Sequence, residues 1–327
     1  MNSLVLYFFA AITIACAKTI SYLSDDSLST LFEEFIKKYD KQYSDSTEKL
    51  IRYGVFLKNL DIIDHLNSHS TGETFGITKF ADLSNAEIQQ FHKGYKPSKD
   101  TPTLCKEVTE VGDFKTDDKF DWRDKNVVSE VKDQGQCGSC WAFSAIGNLE
   151  SVNAIKTGSI QELSEQQLVD CDTGSDDFGC MGGIPNEALV YLKSKGSISE
   201  ADYPYTQNDG TCQYNASKVA VQPTDCEALK VDEDGLAKKL QQIAPLSIAI
   251  DATVLHNYQN GIIQGANCNG QDLDHAVLLV GFGEENGVKY WSVKNSWGAN
   301  WGENGYFRLQ RGVNCLLLTE AVVTAVM

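Results

Sequence analysis

Cys140 is the residue of this chain best placed to act as a nucleophile. It closes a Cys-x-x-Cys pair with Cys137, with Gly135 and Gly138 close by, Gln134 upstream and Trp141 directly after it. Phe143, Ile146, Gly147, Leu149, Glu150, Val152 and Ile155 then recur at helical spacing up to a stop at Gly158. This pattern predicts a helix with Cys140 near its N-terminus. Unpaired backbone N–H groups and the positive end of the helix dipole lie there, and both favour a thiolate. The pair has three chemical readings: a thioredoxin-like redox couple, half of a zinc site, or a nucleophile beside a structural half-cystine. Two inert buried cysteines are the bland alternative. Zinc wants a second ligand pair at similar spacing, and no other Cys-x-x-Cys is present. A thioredoxin motif follows the first strand of a small βαβ unit, whereas here more than a hundred residues precede it. A nucleophile needs an imidazole and a group to orient it, and the distal half offers both.

The chain has five histidines, of which His65, His69 and His92 lie in the N-terminal third. His256 and His275 remain. His275 stands at the mouth of the apolar run Ala276 to Val280, a predicted strand that would hold it rigidly. An imidazole that takes the thiol proton forms a thiolate–imidazolium pair and lowers the cysteine pKa by several units. A neutral amide such as Asn295 can accept a hydrogen bond from that ring without adding charge.

The elements that must position these groups fall into blocks. Leu4 to Ala15 is an apolar run too short to span a bilayer, and Ala15-Cys16-Ala17 fits a small-x-small cleavage site, so residues 1–17 read as a secretory signal peptide. Residues from about 28 to 92 are helix-rich and free of proline. Leu31, Phe32, Phe35, Ile36 and Tyr39 fall at helical spacing. Glu48, Arg52, Phe56, Asn59, Ile63 and Asn67 share one face of a longer helix. Residues 93–113, with Gly94, Pro97, Ser98 and Pro102, read as an extended linker. After the Cys140 helix come helical runs at Ser164 to Val169 and Pro185 to Lys193. Strand-like runs follow at Leu246 to Ala252, Ala276 to Phe282, Tyr290 to Lys294 and Tyr306 to Gln310. There is no internal repeat.

The net charge of −17 argues against nucleic acid and anionic membranes as partners. With 42% hydrophobic residues the chain can bury a large core. Ten cysteines suit an oxidising compartment. Cys16 leaves with the signal, and the odd number remaining leaves at least one thiol unpaired.

Three blocks of this sequence resemble the papain family of cysteine proteases. They are Gln134 to Trp141, Leu273-Asp274-His275-Ala276-Val277 and Lys294-Asn295-Ser296-Trp297-Gly298, in the family's order and at about its spacing. The Glu48 to Asn67 stripe and Gly76 to Asp82 resemble the inhibitory propeptide of cathepsin L-like members, with Thr78 where the family usually has Asn. The pro-segment and the flanks of His275 are most similar to cathepsins of insects and of the baculovirus-type viruses that infect them. The resemblance implies an α+β, papain-like fold with a helical lobe and a β-barrel-like lobe. It divides the chain into a signal (1–17), an inhibitory propeptide (18–115) and a mature protease (116–327), with the lobes at about 116–225 and 226–327. Phe120-Asp121-Trp122-Arg123 resembles the start of the mature body, so the mature N-terminus is expected near Asp113 to Lys119.

The resemblance also assigns roles. Cys140, His275 and Asn295 would be catalytic, Gln134 and the Cys140 N–H would form the oxyanion hole, and Trp297 would cover the His–Asn bond. Gly182 and Gly183 would pair with substrate backbone. Ile184, Pro185, Ala252, Leu273, Ala276 and Glu320 would line an apolar pocket for the side chain second before the scissile bond, and Asp274 is counted with the substrate-binding residues. Glu320, expected at the pocket floor, could also accept Arg. The implied disulfides are Cys137–Cys180, Cys171–Cys212 and Cys268–Cys315. Leu316 to Leu318 follow Cys315 where the family usually has Gly. Cys105 and Cys226 are left over, either as a tether between propeptide and enzyme or as two free thiols. Only eight residues without histidine separate Cys171 from Cys180, too few for the His-bearing loop of cathepsin B, which implies an endopeptidase. Asn215-Ala216-Ser217 is a glycosylation sequon. No metal or cofactor is called for. The expected partners are protein and peptide substrates and the chain's own propeptide, with no nucleic acid, no membrane once the signal is removed, and a monomeric state. The secretory pathway is the expected route, ending in a lysosome or outside the cell. The alternative function is a catalytically silent relative that binds or inhibits.

Overall fold

The computed structural model describes residues 23–96, 104–174 and 176–327. The proposed signal peptide and Pro97, Ser98 and Pro102 lie outside the described residues. Helices α1 (Asp25–Lys38) and α2 (Ser46–Ser68) come first, then strand β1 (Thr74–Phe75), helix α3 (Asn85–Phe91) and strands β2 (Lys106–Val108) and β3 (Phe120–Asp121). Helices α4 (Cys140–Thr157), α5 (Glu165–Cys171) and α6 (Pro185–Lys195) form the helical lobe with the small pair β4 (Ser197–Ile198) and β5 (Val219–Val221). The other lobe contains β6 (Asp225–Leu229), α7 (Glu233–Gln242), β7 (Leu246–Ile250), β8 (Tyr258–Asn260), β9 (Ile262–Ile263), β10 (His275–Glu285), β11 (Val288–Lys294), β12 (Tyr306–Gln310) and β13 (Val322–Val326). Its sheet runs β2-β6-β13-β7-β10-β11-β12-β9, with β3 paired to β10.

Two boundaries differ from the sequence expectation. Phe120 and Asp121 pair with Phe282 and Gly281, so the chain just after 116 belongs to the β sheet and not to the helical lobe. The 93–113 linker is not wholly irregular either, because Lys106–Val108 pairs in parallel with Glu227–Leu229 as an edge strand. A segment this short carries no periodicity to announce it, and its partner is more than a hundred residues away.

The segment that the resemblance assigns as propeptide is built on α2, and its polar stripe explains itself. Asn59 is buried and its Nδ2 donates to the carbonyls of Ala81 (2.8 Å) and Leu83 (2.9 Å). Asn67 exchanges two 2.9 Å bonds with the backbone of Phe75. Arg52 donates to Glu87 (2.7 Å) and to the Asp82 carbonyl (3.2 Å). These side chains pair the otherwise orphaned backbone of the 75–83 loop, and leaving such a group bare costs about 1–3 kcal/mol. Phe56 and Ile63, on the same face, are buried among Phe32, Phe35 and the β-lobe residues Tyr258, Trp301 and Phe307. Propeptide and β lobe therefore share one core. Strand β1 adds to β8, and Phe80 meets Trp297 edge-on at 5.0 Å.

The disulfides are Cys137–Cys180, Cys171–Cys212, Cys268–Cys315 and Cys105–Cys226. Among the described residues Cys140 is the cysteine left free. After Cys315, Leu316 and Leu317 adopt φ of +55° and +65°, the left-handed region in which glycine costs least. Asn314 holds this turn, its side chain accepting from the Thr319 N–H (3.0 Å), and the Leu316 carbonyl accepts from Asp251 N (2.9 Å). Burial of Leu316 offsets the strain.

The Cys105–Cys226 bond has a direct consequence for processing. Cleavage at the expected point, near Asp113 to Lys119, would leave propeptide and enzyme covalently joined. Electrophoresis of the processed protein should show one species without reductant and two with it, and Cys105→Ser should show two in both. Two species without reductant from the unaltered chain would place the cut elsewhere or the disulfide absent.

Candidate active site

Helix α4 and strand β10 deliver the two reactive groups. Cys140 is the first residue of α4, so its backbone N–H is among the four that no helical carbonyl can reach. His275 is the first residue of β10, paired across to Ile250. The two elements are bonded to each other: Ser144 Oγ donates to the Val277 carbonyl at 2.7 Å and lies 2.6 Å from Ser247 Oγ. The Ala276 N–H points at Cys140 Sγ at 3.4 Å.

His275 Nε2 lies 2.8 Å from Asn295 Oδ1, which also accepts the Ser296 N–H at 2.8 Å. An amide oxygen only accepts, so Nε2 carries the proton and Nδ1 is left as a base. Nδ1 has no hydrogen-bond partner. The Trp297 ring stacks on the imidazole at 4.7 Å and 25°, shielding the His–Asn bond. Gln134 is fully buried. Its Oε1 accepts from Ser296 Oγ (2.7 Å) and its Nε2 donates one hydrogen to the Cys137 carbonyl (2.9 Å). The second amide hydrogen remains for an oxyanion.

The propeptide closes this cleft. Gly94, Tyr95 and Lys96 run beside Gly183: Gly183 N donates to the Gly94 carbonyl (2.8 Å), Lys96 N to the Gly183 carbonyl (3.3 Å), and the Tyr95–Gly183 pairing is parallel. A substrate running the opposite way would pair antiparallel on the same edge. A Cβ at Gly94 would overlap the Gly138 carbonyl oxygen, so only glycine lets the blocking strand come this close. Sealed in this way, the dyad is dry. Burial pushes the Cys140 thiol up to about 12, against opposing pulls from backbone N–H groups, and pushes His275 down to about 3 despite its bond to Asn295. Both shifts favour the neutral forms of Cys140 and His275 while the cleft is covered.

Tyr95 fills the pocket expected for the side chain second before the scissile bond. Ile184, Leu273, Ala276, Ala249 and Ala321 pack with it and with Cys140, and Pro185 lies in the same wall. Ala252 does not belong there. It is fully buried in the β-lobe core, and Ala249 stands in its place, directly opposite Ala276 on the paired strand. The alternation along Leu246–Ile250 explains the correction, because Leu246, Ile248 and Ile250 face the β-lobe core while Ser247 and Ala249 face the helical lobe. Glu320 lines the rim and not the floor: its carboxylate is exposed and accepts from Asn314 Nδ2 at 2.9 Å. Gly182 adopts φ +118°, and a Cβ there would crowd the Gly94 carbonyl oxygen. Asp274 offers its backbone carbonyl to Gly94 N (3.2 Å) and Tyr95 N (3.1 Å), while its carboxylate pairs with Lys93. Asn215 is exposed, its Oδ1 accepting from Ser217. Tyr95 and Lys93 were not legible as site residues, since nothing in an aperiodic segment marks where it crosses a cleft. Among the described residues no cluster of three or more His, Cys, Asp and Glu is arranged to hold a metal ion.

The profile of the papain family cysteine proteases matches residues 116–325, and that of the cathepsin propeptide inhibitor domain matches residues 32–88. A viral cathepsin of Choristoneura fumiferana nuclear polyhedrosis virus is 42% identical over 321 residues, covering 96% of this chain and 95% of that one. Cysteine proteinase 15A of Pisum sativum is 42% identical over 309 residues, covering 90% and 85%. The solved structure of digestive procathepsin L2 proteinase from Tenebrio molitor larval midgut matches with a TM-score of 0.85 at 33% identity, covering 92% of this chain and 100% of that one.

The geometry of Gln134 sets an expectation for the processed protein. Gln134→Ala should lower kcat about 10²- to 10³-fold with little change in KM, the cost of one oxyanion donor. Steady-state kinetics on a peptide substrate checks it, and a loss confined to KM would remove Gln134 from that role.

Proposed function

The chain belongs to the papain family of cysteine proteases, as a cysteine endopeptidase with a cathepsin propeptide, and we propose how that activity is run, restrained and directed. Residues 18–115 form the propeptide and 116–327 the mature protease, made with a signal at 1–17 and routed through the secretory pathway to a lysosome or outside the cell. Relatives named viral cathepsin support an extracellular or host-tissue role. A glycan on Asn215 fits that route.

Once the cut propeptide swings out of the cleft, still tethered through Cys105, and water enters, the desolvation that held the dyad neutral is lost, and the Cys140 proton passes to His275 Nδ1. The thiolate attacks the peptide carbonyl carbon. The oxyanion receives hydrogen bonds from the Cys140 N–H and from Gln134 Nε2. The imidazolium then protonates the leaving amine nitrogen, the C–N bond breaks, and a thioester remains on Cys140. His275 next takes a proton from water. The hydroxide adds to the thioester, and collapse returns the acid product and the free thiolate. Asn295 keeps the Nε2–H tautomer throughout, and Trp297 keeps water from competing for that bond.

The observation that carries this reading is the blocking strand on Gly183, with Tyr95 in an apolar pocket next to Cys140. A propeptide that mimics a substrate backwards supports a cleft built for extended peptide. The pocket walls support a preference for Leu, Val or Phe second before the scissile bond. Glu320 at the rim supports secondary acceptance of Arg.

Acid-processed protein titrated with an epoxide that alkylates active-site cysteines should lose all activity at one equivalent, with the label on Cys140. Before inactivation it should cleave peptides with Leu or Phe at that position well above Asp, and Glu320→Ala should reduce Arg acceptance alone. No labelling of Cys140 would sink the peptidase reading, and an unchanged Arg-to-Phe ratio would remove Glu320 from it.

A further inference from the structure

Tyr95 lies in the pocket for the residue second before the scissile bond, and Gly94 lies on Gly138 beside the nucleophile. The blocking strand runs backwards, so the next side chain toward its N-terminus, Lys93, occupies the leaving-group side. Lys93 is buried and its ammonium pairs with Asp274 Oδ2 at 2.6 Å. The other carboxylate oxygen of Asp274 is already held by the Ala252 N–H at 2.9 Å. Burial raises the pKa of this carboxyl and the lysine opposes the rise. When the propeptide departs, Oδ2 loses its cation while Oδ1 stays fixed, leaving an aimed acceptor directly before His275.

His256 follows on the turn that starts at the same Ala252, whose carbonyl accepts the Leu255 N–H at 3.1 Å. It is buried, and neither ring nitrogen has a hydrogen-bond partner. Propeptide residue Thr78 lies against its backbone, its hydroxyl donating to the His256 carbonyl. The ring therefore offers a second acceptor that nothing in the zymogen uses.

We propose that Asp274 and His256 form the pocket for the first side chain after the scissile bond, and that this pocket selects lysine or arginine. The inference rests on the peptidase reading above. Lys93 is the observed occupant and shows the chemistry the pocket takes: a cation on a long apolar stem, its charge met by Oδ2. A guanidinium carries enough N–H groups to reach the carboxylate and the imidazole together. Norleucine would leave the carboxylate unpaired, and glutamate would meet like charge.

The test uses the processed full-length protein, near neutral pH, and internally quenched peptides with Leu second before the scissile bond and Lys, Arg, norleucine or Glu directly after it. The unaltered enzyme should cleave the Lys and Arg peptides with kcat/KM about tenfold above norleucine, with Glu lowest. Asp274→Asn should bring the Lys-to-norleucine ratio close to one. His256→Leu should lower the Arg ratio about threefold. Each ratio is taken within one variant, so a general loss of activity cancels, and if Asp274→Asn does not fold the ratio in the unaltered enzyme decides. Norleucine cleaved as fast as Lys, or an Asp274→Asn ratio left unchanged, would overturn the proposal. Absence of epoxide-sensitive cleavage of every peptide would instead overturn the peptidase reading on which it stands.

Discussion

Everything at the catalytic centre depends on helix α4 staying fixed against the first half of strand β10. The proposed nucleophile opens one element and the proposed base opens the other, so any slip between them would separate thiol and imidazole. The fixing is polar as well as apolar. Ser144 bonds Val277, Asn148 donates to the Pro245 carbonyl at 2.7 Å, and its own oxygen accepts the Ala325 N–H at 2.7 Å. One turn further, buried Glu150 accepts from Ser129, Lys132 and the Leu163 N–H. A helix end that must present a reactive side chain cannot be held there by that side chain, so the turns behind it carry the attachment.

The same packing makes inhibition simple. The propeptide need not distort the dyad; it only has to remove water from it. Its aromatic stripe merges with the β-lobe core, and Asn59, Asn67 and Arg52 tie the 75–83 loop to α2 so that the chain leaves in the right direction toward the cleft. A neutral thiol beside a neutral imidazole is a poor nucleophile. Exposure to water would lift the desolvation that burial imposes on both groups.

Much of this was legible in the sequence, and the reasons differ by element. The Cys140 helix announces itself by period and by Gly158, which indeed caps it at φ +83°. The propeptide stripe was readable because its polar members repeat at helical intervals. Ala249 was not: Leu246 to Ile250 alternate large and small, but which face of β7 meets the helical lobe is set by tertiary packing and not by the strand's own pattern. The placement of Phe120–Asp121 in the β sheet, the β2 edge strand and the Lys93–Asp274 pair are all contacts between distant segments, set by topology and not by local pattern.

The central claim is that burial by the propeptide, and not altered geometry, holds Cys140 and His275 neutral. Thiolate absorbance of Cys140, titrated against pH in the zymogen and in the processed protein with a Cys140→Ser blank, tests it most directly. The account predicts no thiolate in the zymogen across the range in which it stays folded below about pH 10, and a thiolate already present in the acid range after processing. An equally low Cys140 pKa in both forms would contradict it.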